Sequence, residues 1–369
     1  MGNKRKDFDP PGVVRVDPGL DRFREAVRAI RIHKIGGPEA LRLDAVDNPH
    51  PGDGEVVLRV TAAAVNRFDV DIREGRARIE PSLPYVPGIE AVGTIEEIGK
   101  GVDGGWKVGD RVMPFLMTCC GVCRYCQSGR EQLCGTAGFI SFTTSGAYAE
   151  LMVCSAAQLI HVPAELTDEA AASLQLSFAT AWHMLFTRGC LRAGETVLVS
   201  SVGSGLGTAA VQLAQLAGAL VIGTASDDAK LERARALGLD AGVNYCKSDI
   251  PTEVRRLTEN RGVDVVFEHV GGDAFQYGLD SLAKDGRLVV CGAHSQEIVP
   301  LDIVPLFRSE KTIIGSTVFT RAEVETVLEI ARRGRIRPVV DRTFPLDEAR
   351  AATEYLESRA NFGKILLMP

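Results

Sequence analysis

A chain of 369 residues, at roughly 150 residues per domain, has room for two to three domains that each bury a core. Its 42 lysines and arginines stand against 48 acidic residues, for a net charge of −6 with no basic block, so no nucleic-acid partner is expected. The composition, 45% hydrophobic and 24% charged, is that of a globular protein, and no run reaches the roughly 18 to 20 apolar residues of a membrane span.

Residues 1–28 read as an N-terminal extension, rich in charge, proline and glycine up to Gly19. The basic start Met1-Gly-Asn-Lys-Arg-Lys is followed by Asp7, Asp9 and Asp17 and not by an apolar h-region, so no signal peptide is expected and the cytosol is the default compartment. Leu20, Phe23, Val27 and Ile30 share one helical face, which predicts a short helix from Asp21 to Ile30. Residues 29–162 then read as a β-rich domain, with runs such as Val56-Val-Leu-Arg-Val60 and Ala91-Val-Gly-Thr-Ile95 set between glycine and proline turns.

Inside that domain five of the nine cysteines lie between Cys119 and Cys134. Cys120-Gly-Val-Cys123-Arg-Tyr-Cys126, followed by Cys134, offers four thiolates in a glycine-containing loop. Such a set converges tetrahedrally on one zinc and leaves no open coordination position, which makes a structural site. Cys119 is a spare that can exchange with Cys120. Cys154, Cys190, Cys246 and Cys291 stand singly in apolar or strand-like text and read as core residues.

Residues 163–336 change style. Apolar strands at Thr196–Ser200, Ala219–Thr224, Val263–Phe267 and Arg287–Cys291 are separated by helical stretches at Thr208–Ala217 and Ala229–Leu237, with a further strand at Thr312–Gly315. Strands alternating with helices predict βαβ units on a doubly wound parallel sheet, an α/β fold. The first strand runs into Ser201-Val-Gly203-Ser204-Gly205-Leu206-Gly207 and then a helix, an order that turns backbone N–H groups and the helix N-terminus toward a pyrophosphate. The second strand ends at Ala225, where a ribose-binding carboxylate would select NAD. Ser226 and Lys230 follow and suit the 2′-phosphate of NADPH, while Asp227 and Asp228 either bond a ribose or cap the next helix. A helix at Ala322–Arg333, a Pro338-Val-Val strand, a helix near Asp347–Leu356 and a strand at Lys364–Met368 complete the chain. Residues 337–369 are expected to pack back on the first domain.

Ala64-Val-Asn-Arg-Phe-Asp69, Pro87-Gly-Ile-Glu90, Val108-Gly-Asp-Arg-Val112, the cysteine lobe, Gly146-Ala-Tyr-Ala-Glu150, the glycine turn and Gly363-Lys-Ile-Leu-Leu together resemble the medium-chain dehydrogenase/reductase superfamily over residues 29–369. The resemblance implies a GroES-like domain split around a Rossmann domain, an active site in the cleft between them, and a homodimer. It also places the three catalytic-zinc ligands of alcohol dehydrogenases on Asn66, Ile89 and Leu176, and the proton-relay hydroxyl on Phe68, none of which suits its task. The chain thereby resembles the quinone oxidoreductase and enoyl reductase branch, with a structural-zinc lobe retained.

That branch implies hydride transfer from NADPH to an enone, enoyl compound or quinone. Asn66, Asp71 and Tyr85 are the catalytic candidates, with Asp71 equally readable as an exposed carboxylate and Tyr85 as turn packing. Thr180, Tyr245, Val270, Gly292 and Ala293 are expected to contact the cofactor, and His183 to be a packing histidine. Two rival readings are a zinc alcohol dehydrogenase with unusual ligands and a nucleotide-binding scaffold without turnover.

Overall fold

The computed structural model describes residues 26–78, 80–142 and 144–369. The chain enters through an antiparallel pair, β1 (Val27–Ile32) and β2 (Leu41–Val46), in which Ile30 faces Leu43. Residues 27–30 of the expected helix are therefore strand, and residues 21–25 lie outside the described residues. β-Branched Val27, Ile30 and Ile32 favour an extended strand once a partner strand is available, and apolar spacing over so short a window does not distinguish the two.

β3 (Glu55–Val65) is the spine of the first unit. It pairs with β4 (Ala91–Ile98) after the short helix α1 (Arg67–Arg73), and β4 continues to β5 (Arg111–Pro114). The lobe that follows holds a two-stranded ribbon, β6 (Met117–Thr118) and β7 (Gly138–Phe139), around the helical turn α2 (Arg124–Gln127). β8 (Leu151–Ser155) returns to β3, and β9 (Leu159–His161) closes on β5.

Helical turns α3 (Asp168–Ala171) and α4 (Thr180–Trp182) lead into the second unit, with wider π-type turns at Gln175–Ala179 and His183–Arg188 on either side of α4. There β10 (Thr196–Val199), α5 (Gly205–Leu216), β11 (Leu220–Ala225), α6 (Asp228–Arg235), β12 (Ala241–Asn244) and α7 (Ile250–Leu257) form the first half of a doubly wound sheet. β13 (Val263–Glu268), α8 (Asp273–Ser281), β14 (Leu282–Val290), α9 (Ile303–Arg308), β15 (Thr312–Gly315) and α10 (Arg321–Arg332) form the second. The strand order is β12-β11-β10-β13-β14-β15 and every pairing is parallel, so the order reverses between β10 and β13. Helices cover both faces of this sheet, which is why Val197, Leu198 and Val199 read as a continuous apolar run and are all buried.

The chain ends in the first sheet. β16 (Val340–Pro345), α11 (Ala349–Glu357) and β17 (Lys364–Met368) place Ile365 opposite Val65, giving the order β16-β17-β3-β4-β5-β9. This antiparallel pairing brings Lys364 beside the end of β3, close to where α1 begins. Among the described residues no helix is long and apolar enough to cross a membrane.

Candidate functional site

A cavity of about 940 Å³ opens at the carboxyl ends of β10, β11, β13 and β14 and reaches the end of β3. This is the switch point of the strand order, where doubly wound sheets bind ligands. Gly203, Ser204, Gly205 and Leu206 line it, as do Thr180, Ser226, Lys230, Tyr245, Val270 and Asn66. The two serines that interrupt the usual glycine pattern have local explanations. Ser204 caps α5, its Oγ accepting from Gly207 N at 2.8 Å and donating to the Ser201 carbonyl at 2.9 Å. Ser201 itself adopts φ 54° at the turn. A Cβ on Gly207 would stand 2.2 Å from that same carbonyl, so only glycine lets α5 lie this close to the strand. The bare backbone turn, the α5 N-terminus and the cavity volume fit a dinucleotide.

At the far end of this turn neither aspartate faces the cavity. Asp227 caps α6, accepting from Lys230 N at 2.9 Å. Asp228 accepts from Asn244 Nδ2 at 2.7 Å and pairs with Lys247 Nζ at 2.6 Å, bonds that lower its pKa. Lys230 lines the cavity with its Nζ donating to the Arg359 carbonyl at 2.5 Å, and Arg359 lines it too. Sequence reasoning missed Arg359, which arrives from beyond α11 with no motif around it.

The opposite end is built from five separated segments. Asn66 begins α1, and its N–H donates to Asp69 Oδ2 at 3.0 Å, where Tyr148 Oη also donates at 3.1 Å. Burial raises the pKa of Asp69 to about 7 against these opposing bonds. The Asn66 side chain is fully engaged. Its Nδ2 donates to the Ala64 carbonyl at 3.2 Å and Glu90 Oε2 at 3.3 Å, and its Oδ1 accepts from Lys364 Nζ at 2.5 Å. Lys364 also pairs with Glu90 Oε2 at 2.8 Å, and Glu90 Oε1 accepts from Leu176 N at 2.7 Å. Asn66, Ile89 and Leu176 thus meet on one wall of the cavity, with the buried Lys364–Glu90 pair between them. Lys364 stood in the sequence only as part of a strand motif; its site role was legible solely through the β3–β17 pairing.

Four expected site residues are placed differently. Asp71 does not line the cavity: its Oδ2 accepts from His294 Nδ1 at 2.8 Å, and its Oδ1 lies 3.0 Å from Arg76 Nη2 and 3.5 Å from Arg67 Nε. His294 does line it. Tyr85 turns into a separate cavity of about 630 Å³ beside β1 and β2, stacked on Phe142 with its hydroxyl buried and unpartnered. Gly292 and Ala293 pack against the β13 strand end, where a Cβ on Gly292 would meet the His269 carbonyl at 2.7 Å and one on Gly271 would meet Ala293 Cα at 2.8 Å. The lining there comes from Cys291, His294 and Ser295. His183 is buried with Nδ1 2.9 Å from both Glu323 oxygens, the packing role expected of it.

In the cysteine lobe the sulfurs of Cys120, Cys123, Cys126 and Cys134 all lie within 4.8 Å of one another. Separations of 3.6 Å (Cys123–Cys126), 3.9 Å (Cys120–Cys126) and 3.6 Å (Cys120–Cys134) are near the roughly 3.8 Å edge of a tetrahedron with Zn–S bonds of about 2.3 Å. The donor set therefore fits zinc, and Cys119 stands outside it. Among the described residues this is the one group of three or more His, Cys, Asp or Glu side chains close enough to share an ion. Cys190 and Cys246 are exposed rather than in the core.

Family models describe residues 205–333 as a zinc-binding dehydrogenase and residues 52–164 as an alcohol dehydrogenase GroES-like domain. An alcohol dehydrogenase of Geobacillus stearothermophilus is 34% identical over 302 residues, covering 82% of this chain and 88% of the relative. A 2-haloacrylate reductase of a Burkholderia species is 32% identical, covering 93% and 99%. A quinone oxidoreductase of Rattus norvegicus is 31% identical, covering 94% and 98%. A solved NAD-dependent alcohol dehydrogenase superposes with a TM-score of 0.88 at 37% identity, covering 93% of this chain and 99% of that one.

Proposed function

The chain belongs to the medium-chain dehydrogenase/reductase superfamily of oxidoreductases, and within it we propose an NADPH-dependent reductase of activated alkenes or quinones that works without a catalytic zinc. The observation that carries this reading is the wall formed by Asn66, Ile89 and Leu176. In place of three metal ligands it offers one amide, two apolar side chains and a buried lysine bonded to both Asn66 and Glu90. A simple alcohol or ketone needs a Lewis acid at its oxygen, whereas a conjugated acceptor spreads developing negative charge into its own carbonyl.

The dinucleotide, when bound, supplies a hydride equivalent to the substrate β-carbon. The Lys364 ammonium has three N–H groups, of which Asn66 and Glu90 take two, and the third is available to a substrate carbonyl or cofactor hydroxyl. Asn66, with its amide already committed, acts by positioning Lys364. The serine-capped glycine turn receives the pyrophosphate, and Ser226, Lys230 and Arg359 favour a 2′-phosphate at the end where no carboxylate faces the ribose. Cys120, Cys123, Cys126 and Cys134 hold a structural zinc that ties the lobe together. A homodimer is supported by β15, which ends its sheet, and by neighbouring Ile298, Ile303 and Phe307, exposed by 81%, 62% and 62%.

NADPH carrying deuterium at the transferred position tests the reading. Deuterium should appear on the β-carbon of a small enone, with activity surviving a chelator that leaves the fold intact. Efficient oxidation of simple primary alcohols, stopped by chelation, would replace this reading with that of a zinc alcohol dehydrogenase.

A further inference from the structure

Hydride addition to a conjugated carbonyl leaves a carbanion equivalent at the α-carbon, and the reaction is complete only when that carbon gains a proton. We propose that His294 is the proton donor, with Asp71 as its positioning carboxylate; this inference rests on the reductase reading above.

His294 follows β14 and lines the cavity beside Cys291, at the carboxyl edge of the sheet. Its Nδ1 lies 2.8 Å from Asp71 Oδ2, which belongs to α1 of the other unit, so the ring spans the cleft. A carboxylate accepts only, so Nδ1 carries the hydrogen in that bond and Nε2 is the nitrogen left for a ligand. The Asp71 side chain is 14% exposed and the His294 side chain 36%, so the carboxylate is sheltered while the imidazole reaches both cavity and solvent. Asp71 is held in turn by Arg76 and Arg67, which fix its orientation from α1 and the turn after it.

Other lining groups suit the task less well. Burial pushes the Cys291 thiol up to about 12. His269 is buried, its Nε2 is 3.0 Å from the Ser200 carbonyl, and desolvation lowers its pKa, with the neighbouring His294 opposing its charge further and Glu268 favouring it. Lys364 can offer its third N–H as a hydrogen bond, but giving up that proton would leave the buried Glu90 carboxylate without its cation. The remaining charged lining groups are Arg67, Asp273 and the cations Lys230 and Arg359 at the adenosine end. Among the described lining residues, His294 alone joins an N–H donor at the cavity wall to a sheltered carboxylate and a path to bulk water.

The step balances with a reduced nicotinamide dinucleotide as the reductant. Two electrons and a hydrogen nucleus reach the β-carbon, the C=C π pair moves to the α-carbon and its carbonyl, and the oxidised dinucleotide remains. The Nε2 proton of His294 then forms the α C–H bond, and the neutral imidazole takes a replacement proton from solvent.

The test uses the full-length holoenzyme, NADPH and a small α-substituted enone, with the reaction run in D2O. Wild type should place solvent deuterium on one face of the α-carbon, and kcat should fall on the alkaline side as His294 loses its proton. His294→Gln should lower kcat by about 100-fold or more, abolish that alkaline limb and give both α-epimers, with NADPH affinity changed by less than about twofold. Asp71→Asn should move the limb to lower pH. In cofactor-free protein, 15N NMR should show a protonated Nδ1 at His294 in wild type and a tautomer mixture in Asp71→Asn. A His294→Gln enzyme with the wild-type rate, pH profile and single epimer would overturn the assignment while leaving the reductase reading intact. A wild type that transfers no hydride to any enone or quinone would overturn the reductase reading, and this inference with it.

Discussion

Replacing Lys364 with methionine keeps most of the apolar stem and removes the ammonium with its charge, so it isolates the pair at the reacting end of the cleft. Glu90, 1% exposed, would retain only Leu176 N–H and Asn66 Nδ2 as donors and would lose its cation at 2.8 Å. Breaking a buried pair in this way costs about 3 to 5 kcal/mol, because the surviving charge stays desolvated. At roughly 2.1 cal/mol/K per residue of unfolding entropy, a chain of 369 residues unfolding as a unit has about 0.8 kcal/mol/K, so the midpoint should fall by roughly 4 to 6 °C. Glu90→Gln alone leaves an ammonium against two amides and should also destabilise. The double variant should be less destabilised than the sum of the singles, a coupling of about 1 to 3 kcal/mol. Thermal and denaturant unfolding of the four proteins measures this cycle. Additive effects, or a Lys364→Met midpoint within about 1 °C of wild type, would refute the account of Lys364 and Glu90 as one buried unit.

The remaining expectations concern the other parts of the site. Lys230→Ala should weaken NADPH by about 1 to 2 kcal/mol, tenfold or somewhat more, and leave NADH nearly unchanged in a titration of each cofactor; equal losses would remove Lys230 from the 2′-phosphate. Elemental analysis should find one zinc per chain, and none with a lower melting temperature in Cys123→Ser, whereas two per wild-type chain would place a metal in the cleft. Asp69, with a pKa near 7 in the fold against 3.8 ordinarily, is stabilising in its protonated form, so that contribution is present at acid pH and lost as pH rises from about 4 to 7. Asp69→Asn keeps an acceptor for the Asn66 N–H and Tyr148 hydroxyl bonds, so its stability should fall less steeply over that window, by up to ~4 kcal/mol at pH 8; parallel pH profiles would reject the buried-acid account. Phe307→Glu should lower the sedimentation-derived mass if the exposed α9 face and β15 edge join two copies, and an unchanged mass would exclude that face.

Several of these features were legible in the chain because their physics is local. The glycine turn lies within a dozen consecutive residues, so strand, turn and helix can be read together; that Ser204 caps α5 was seen only in the fold. The four clustered cysteines of the lobe likewise sit within 15 residues of one another, and their sulfurs meet as their spacing implies. Alternation of apolar strands and helices marked the parallel sheet because both faces of β10 are covered.

The reacting end was not legible in that way. Lys364 reaches Asn66 across 298 positions and His294 reaches Asp71 across 223, so neither partnership leaves a local pattern. Sequence reasoning chose Asp71, yet the cavity receives its histidine partner; it chose Tyr85, yet the turn carries that ring toward β1 and β2. Gly292 and Ala293 were placed at the right strand end, but which residues of that turn face the ligand depended on contacts with β13. The backbone cradle and the thiolate cluster could be read from neighbouring residues, because short-range geometry decides their position. The tertiary structure decided which charged side chains face the cleft, because the direction and protonation of a buried group depend on partners that only folding brings within hydrogen-bond reach.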